Sequence, residues 1–152
     1  MPNALITGFT GQDGSYLAEL LLEKGYEVLN VDALTYAGYL PSVRDVENRP
    51  NYRFLRANIC DAEAMVGAVA QFGPDRVMHL AAESHVDRSI TGAAEFIQTN
   101  VIGTFTLLET ARNYWSNLPA ARKAAFRFWP ALAASARRQA PKVSPYFRIL
   151  LI

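Results

Sequence analysis

The sequence is poor in the features that would place it outside a reducing, aqueous compartment. It has one cysteine, Cys60, so no internal disulfide can form, and a reducing environment is expected. Cys60 reads as an inert thiol rather than a nucleophile. No apolar run approaches the ~20 residues that a bilayer-spanning helix needs. The start, Met1-Pro2-Asn3, lacks the charged region and cleavage site of a secretory signal, so a cytoplasmic location is expected. Acid is missing from one end. No Asp or Glu follows Glu109, while eight of the 15 Lys/Arg lie beyond it and all 14 acids lie at or before it. Such a split can mark a nucleic-acid-binding tail. This tail has no sustained basic amphipathic face and no recognisable motif, so neither nucleic acid nor membrane is an expected partner. No metal is expected.

What remains is ordinary for a globular domain: 152 residues, 51% hydrophobic and 19% charged. That length supports one domain with a real core and is short for most two-domain enzymes.

The organising stretch is Asn3-Ala4-Leu5-Ile6-Thr7-Gly8-Phe9-Thr10-Gly11-Gln12-Asp13-Gly14. A short apolar run stops at a glycine, two more glycines follow at three-residue spacing, and an amphipathic run begins. This is the pattern of a strand, a tight turn and a helix N-terminus that holds a dinucleotide pyrophosphate. Gly8 permits the turn, Gly11 lets backbone approach phosphate, and Gly14 lets the helix pack on the strand.

A helix is predicted from Gly14 to Lys24, with Tyr16, Leu17, Leu20 and Leu21 on its apolar face and Gly25 as its C-cap. A second strand, Tyr26–Val31, ends in Asp32, 18 residues beyond Gly14. An acid near that spacing accepts from the adenosine ribose hydroxyls and repels a 2′-phosphate, which favours NAD over NADP. The competing reading is a solvated acid after a strand. A third strand is expected at Tyr52–Arg56. Asp61 is the expected N-cap of a helix Ala62–Phe72 closed by Gly73-Pro74. A fourth strand, Arg76–Leu80, runs into the small residues Ala81 and Ala82, where open parallel sheets place their ligands. Ala94–Trp115 reads as one long helix with Phe96, Ile97, Val101, Phe105, Leu107 and Leu108 as core candidates. His79, inside a strand, reads as a satisfied core residue.

Strand and helix alternate through residue 115, which predicts an α/β fold. The expected form is a Rossmann-type doubly wound parallel sheet, incomplete at about four to five strands, with helices on both faces. The expected division is a truncated NAD(P)-binding domain over 1–128 and an aberrant, poorly ordered tail over 129–152. Pro130 is expected to spoil a fifth strand.

The glycine spacing Gly8-x-x-Gly11-x-x-Gly14 resembles that of the extended short-chain dehydrogenases/reductases, the nucleotide-sugar epimerase and dehydratase group. Asp32-Ala33-Leu34-Thr35-Tyr36-Ala37-Gly38 and His79-Leu80-Ala81-Ala82-Glu83-Ser84-His85-Val86-Asp87-Arg88-Ser89 are similar to the dTDP-glucose 4,6-dehydratases. Asn100-Val101-x-Gly103-Thr104 supports the same assignment. The opening stretch is more similar to the GDP-mannose 4,6-dehydratases, which place Gln-Asp-Gly at Gln12-Asp13-Gly14, but those usually take NADP and carry basic residues where this chain has Asp32.

The resemblance implies NAD as cofactor. Gly8, Gly11, Gln12 and Gly14 would seat its pyrophosphate, and Asp32, Ala33, Leu34 and Thr35 its adenosine ribose. Asn58 and Ile59 would flank adenine, with Asn58 standing where the family usually has Asp. Leu80, Ala81, Ala82, Glu83 and Ser84 would line the nicotinamide side, and Thr99 would reach the cofactor from the long helix. Ser84 and His85 would face the sugar phosphates. The implied reaction is oxidation at C4 of dTDP-glucose, loss of water across C5–C6 and hydride return to C6, giving the 4-keto-6-deoxy sugar. Family members pair as homodimers through helices of this half, including Ala94–Trp115.

The family performs this chemistry with a Tyr-x-x-x-Lys pair and a Thr-Asp-Glu set after the fifth strand. None of the seven tyrosines here has lysine four residues on. After Phe128, where the acidic set should follow, the chain reads Trp129-Pro130-Ala131-Leu132-Ala133-Ala134. No catalytic residue is assigned. The expectation is an N-terminal fragment of a dTDP-glucose 4,6-dehydratase, inactive alone, its tail resembling translation in a shifted frame. A non-catalytic dinucleotide-binding module and a GDP-mannose 4,6-dehydratase-like fragment are the alternatives.

Overall fold

A computed structural model describes residues 1–8, 12–34, 44, 46–83 and 92–130. Five parallel strands form one sheet: β1 Asn3–Thr7, β2 Glu27–Asp32, β3 Tyr52–Arg56, β4 Arg76–His79 and β5 Arg127–Pro130, in the order β3-β2-β1-β4-β5. The helices are α1 Gln12–Glu23, α2 Ala62–Phe72, α3 Ala93–Ile97, α4 Thr104–Ser116 and α5 Ala120–Ala125, with a π-helical segment Gln98–Gly103 between α3 and α4. The chain runs outward from β1 to β3 and then returns to lay β4 on the other side of β1. That reversal makes the gap between the carboxyl ends of β1 and β4 the switch point of the sheet.

Strand alternation divides the core between the two faces. Leu29, Leu5, Val77 and Phe128 lie in register across four strands and pack under α2 and α4, against Met65, Val69, Phe72, Leu107 and Ala111. Ala4, Ile6 and Val28 face the other way, against Ala18, Leu21 and Leu22 of α1. The doubly wound arrangement expected from the sequence is present.

Helix ends follow the local chemistry. The Asp61 carboxylate accepts from the Ala64 amide at 3.0 Å, and Gly73, at φ +64°, closes α2 with its own amide on the Val69 carbonyl. Gly25, at φ +78°, ends the turn after α1.

Three expectations are corrected. β5 forms, although Pro130 was expected to spoil it. Phe128, fully buried, completes the apolar row across the sheet, and burying such a side chain stabilises by about 2 kcal/mol. Pro130 is the last residue of the outermost described strand, where a missing amide donor costs the ladder least. The strand thus runs two residues past Phe128.

Tyr16 and Leu20 do not face the core. They are 67% and 48% exposed, and Ala18, Leu21 and Leu22 bury α1 instead. Nor is the long helix a uniform core element. Its middle is π-helical, and Ile97, Val101 and Phe105 lie open at four-residue spacing, while Gly103, Leu107 and Ala111 face the protein.

Candidate functional site

Parallel pairing brings the residues that follow four strands into one row. Gly8 follows β1, Asp32 ends β2, Asn58 lies two residues beyond β3, and Leu80 follows β4. The register Thr7↔Val31 places Gly8 beside Asp32, and the Gly8 amide donates to the Val31 carbonyl at 3.1 Å.

Gly8 has φ +74°, and a Cβ built on it would lie 2.3 Å from the Ala81 nitrogen and 2.7 Å from the Leu80 carbonyl carbon. Main chain therefore lies against main chain at the switch point, leaving no room for a side chain. The Leu80 amide donates to the Thr7 carbonyl at 2.9 Å and extends the ladder one residue past β4. Gly14 is buried in the first turn of α1, whose N-terminus carries the positive end of the helix dipole. Gln12 is the first residue of that helix. Gly11 lies outside the described residues.

Asp32 is 9% exposed, and its Oδ1 accepts from the Leu34 amide at 2.7 Å across an Asx turn. Leu34 has φ +53°, a left-handed conformation that costs a non-glycine residue about 1 kcal/mol. Ala33 bridges the two, and the Asp32 carbonyl accepts from Ala57, joining this turn to the segment after β3. Thr35 lies outside the described residues. Asn58 accepts from the Cys60 amide through its Oδ1 at 2.9 Å, preparing the N-cap of α2. The Ile59 side chain is buried in the core below α2 and α4.

On the other side of Gly8, the segment 80–83 is tied to the long helix. Asn100 grips the main chain of Glu83 at two points: its Oδ1 accepts from the Glu83 amide at 2.8 Å, and its Nδ2 donates to the Glu83 carbonyl at 2.9 Å. Ala82 is exposed, and Leu80 and Ala81 are half-buried. Thr99 is half-buried in the π-helical segment next to Asn100. Ser84 and His85 lie outside the described residues. Gly103 closes this packing, since a Cβ there would meet Ile59 Cδ1 at 2.6 Å and Cys60 Sγ at 3.2 Å. The Cys60 thiol donates to the Gln98 carbonyl at 3.2 Å.

His79, 3% exposed, is a connecting residue beneath the row. Its Nδ1 lies 2.7 Å from Thr7 Oγ1 and its Nε2 2.9 Å from Thr104 Oγ1. Burial lowers its pKa from 6.5 to about 4, so the ring is neutral at physiological pH. The core role expected for His79 holds, with both ring nitrogens partnered. Asn100, Thr7 and Thr104 were not assigned roles by sequence reasoning. The signal for two of them was the stretch Asn100-Val101-x-Gly103-Thr104.

Among the described residues no group of three or more His, Cys, Asp and Glu is placed to hold a metal ion. No helix among them is long and apolar enough to cross a membrane. The site can offer a diphosphate a helix N-terminus, offer a diol the Asp32 carboxylate, and offer a flat group the small residues after β4.

Known proteins are similar to this chain in sequence and in fold. A family model described as GDP-mannose 4,6 dehydratase matches residues 5–131. A probable dTDP-glucose 4,6-dehydratase of Sinorhizobium fredii is 63% identical over 123 residues, which are 81% of this chain and 35% of that protein. The crystal structure of the dTDP-glucose 4,6-dehydratase DesIV of Streptomyces venezuelae, with NAD bound, is 38% identical. It superposes with a TM-score of 0.72 over 84% of this chain and 38% of its own. The dTDP-glucose 4,6-dehydratase of Bacillus anthracis, in complex with NAD, is 30% identical with a TM-score of 0.70 over 86% of this chain and 37% of its own. The chain thus spans a little over a third of the length of the relatives it matches.

Proposed function

Since this chain belongs to the GDP-mannose 4,6 dehydratase family, we propose that it is the NAD-binding portion of a dTDP-glucose 4,6-dehydratase. The observation that carries this reading is that Gly8 and Asp32 follow the paired residues Thr7 and Val31 at the carboxyl ends of adjacent strands. Lacking a Cβ, Gly8 lets the end of β1 lie directly against Leu80 and Ala81, which brings the start of α1 to the switch point, and the neighbouring carboxylate would accept from the adenosine ribose. The same carboxylate repels a 2′-phosphate, so NAD is preferred to NADP. Gly8, Gly14 and the α1 N-terminus would hold the diphosphate, Asp32 to Leu34 the adenosine ribose, and Leu80 to Glu83 the nicotinamide half. Bound NAD would supply a hydride acceptor and donor at its nicotinamide ring. The dTDP-sugar reading is favoured over a GDP-mannose one by the similarity of its relatives.

Titration of the 152-residue protein with NAD and NADP tests the reading. NAD binds at least ten-fold more tightly than NADP, and Asp32→Ala narrows that gap; equal affinities in the unaltered protein exclude the assignment. No catalytic residue is assigned to this chain, because no tyrosine here has a lysine four residues on. Formation of a 4-keto sugar from dTDP-glucose by this chain alone would overturn that part.

The open ridge of Ile97, Val101 and Phe105 supports a further element of the same reading, that this helix pairs two copies. Sedimentation decides it: Val101→Glu leaves a monomer where the unaltered protein is a dimer, and identical behaviour of the two removes the ridge from the interface.

A further inference from the structure

We propose that His79 is a positioning residue for the dinucleotide seat, tying the Thr7 hydroxyl at the end of β1 to the Thr104 hydroxyl at the start of α4. This role rests on the reading that Gly8 and Leu80–Glu83 receive the cofactor. The geometry is specific. One ring nitrogen is 2.7 Å from Thr7 Oγ1 and the other 2.9 Å from Thr104 Oγ1, and Thr7 is itself fully buried.

An imidazole is a costly way to fill a core position. Burying its polar nitrogens is unfavourable unless both are bonded, and an apolar ring would occupy the same space at less cost. What an apolar ring cannot do is fix direction. A neutral imidazole has one donor and one acceptor, and a threonine hydroxyl can serve as either, so each tautomer satisfies both bonds. The ring therefore sets the separation of three elements, β1, β4 and the long helix.

The consequence falls on neighbouring residues. Thr7 immediately precedes Gly8, and His79 immediately precedes Leu80, whose amide is bonded to the Thr7 carbonyl. The main-chain contact of Gly8 with Leu80 and Ala81 leaves no slack for these strand ends to shift. From the helix, Thr104 holds His79 while Asn100, one turn earlier, holds Glu83. The segment 80–83 is thus held at both ends by the same helix. Loss of the His79 bonds leaves the end nearest Gly8 held by the strand ladder alone, without its tie to the helix.

Thr104→Val removes one of these bonds with little change in shape, and Thr104→Ser retains the hydroxyl. NAD and ADP-ribose affinities are measured by calorimetry well below the melting transition, and amide hydrogen exchange is followed at Gly8 and Leu80. Thr104→Val weakens NAD roughly three- to ten-fold, changes ADP-ribose less than about two-fold, and speeds exchange of the Leu80 amide, while Thr104→Ser restores all three. A filler role lowers the melting temperature but leaves both affinities unchanged, and that result overturns the proposal. If the unaltered protein binds no NAD, the cofactor reading fails by itself. The brace is then judged on exchange alone, with faster Leu80 exchange in Thr104→Val supporting it and unchanged exchange refuting it.

Discussion

Gly8 and Ala81 meet main chain to main chain, with 2.3 Å between the Ala81 nitrogen and the place a Gly8 Cβ would occupy. Neither partner can retreat as a flexible side chain could, because both are held in the sheet by the Leu80-to-Thr7 and Gly8-to-Val31 bonds. Gly8→Ala combines this clash with a left-handed φ of +74°. About 1 kcal/mol from backbone conformation and 1–3 from overpacking give a loss of roughly 2–4 kcal/mol. Urea denaturation reads it directly. A loss under about 1 kcal/mol would mean that the two strand ends separate easily.

The stability of the domain depends on pH through His79. Its folded pKa, lowered to about 4 by burial, lies below the 6.5 of the unfolded chain. Between those values the unfolded state binds the proton first, so acidification favours unfolding. The contribution is complete above pH 6.5, declines as pH falls, and is lost by about pH 4, some 3 kcal/mol in all. His79→Phe removes this dependence. Denaturation midpoints measured from pH 7 to pH 4 in both proteins give the comparison, and parallel curves would show that His79 does not titrate as a buried base.

Gly103 and Ile59 form a second tight pairing, this one between side chain and backbone. Gly103→Ala gains about 1 kcal/mol of helix propensity but drives a methyl to 2.6 Å from Ile59 Cγ1 and Cδ1. Overpacking of that kind costs 1–3 kcal/mol, so the net effect is a loss of up to about 2 kcal/mol. Ile59→Ala removes both Cγ1 and Cδ1 and makes room. In a double-mutant cycle the two changes couple favourably by about 0.5–1 kcal/mol, and strict additivity would mean that α4 moves away instead.

Much of the fold can be read from the chain because the relevant forces are local. Ala4-Leu5-Ile6-Thr7 is apolar without alternation because both faces of β1 are covered, and that pattern is visible in four letters. Asp61 and Gly73 bound α2 through bonds that span three or four residues. The glycine turn and Asp32 stand at a spacing that parallel pairing converts into adjacency. The exposure of Tyr16, Leu20, Ile97, Val101 and Phe105 could not be read, since apolar residues at helical spacing look alike whichever side meets the sheet. β5 was also hidden. Pro130 argues against a strand locally, and only the row of Leu29, Leu5, Val77 and Phe128 across four strands outweighs it.

The strand–turn–helix opening, the acid at the end of β2 and the small residues after β4 are legible along the chain, because each is a property of a few consecutive side chains. That Gly8 lies against Ala81, that Asn100 grips Glu83, and that His79 joins Thr7 to Thr104 is visible only once the chain is folded. These partners are 73, 17, 72 and 25 positions apart. Their meeting is set by strand order and by how the long helix crosses the sheet, quantities that no local pattern encodes.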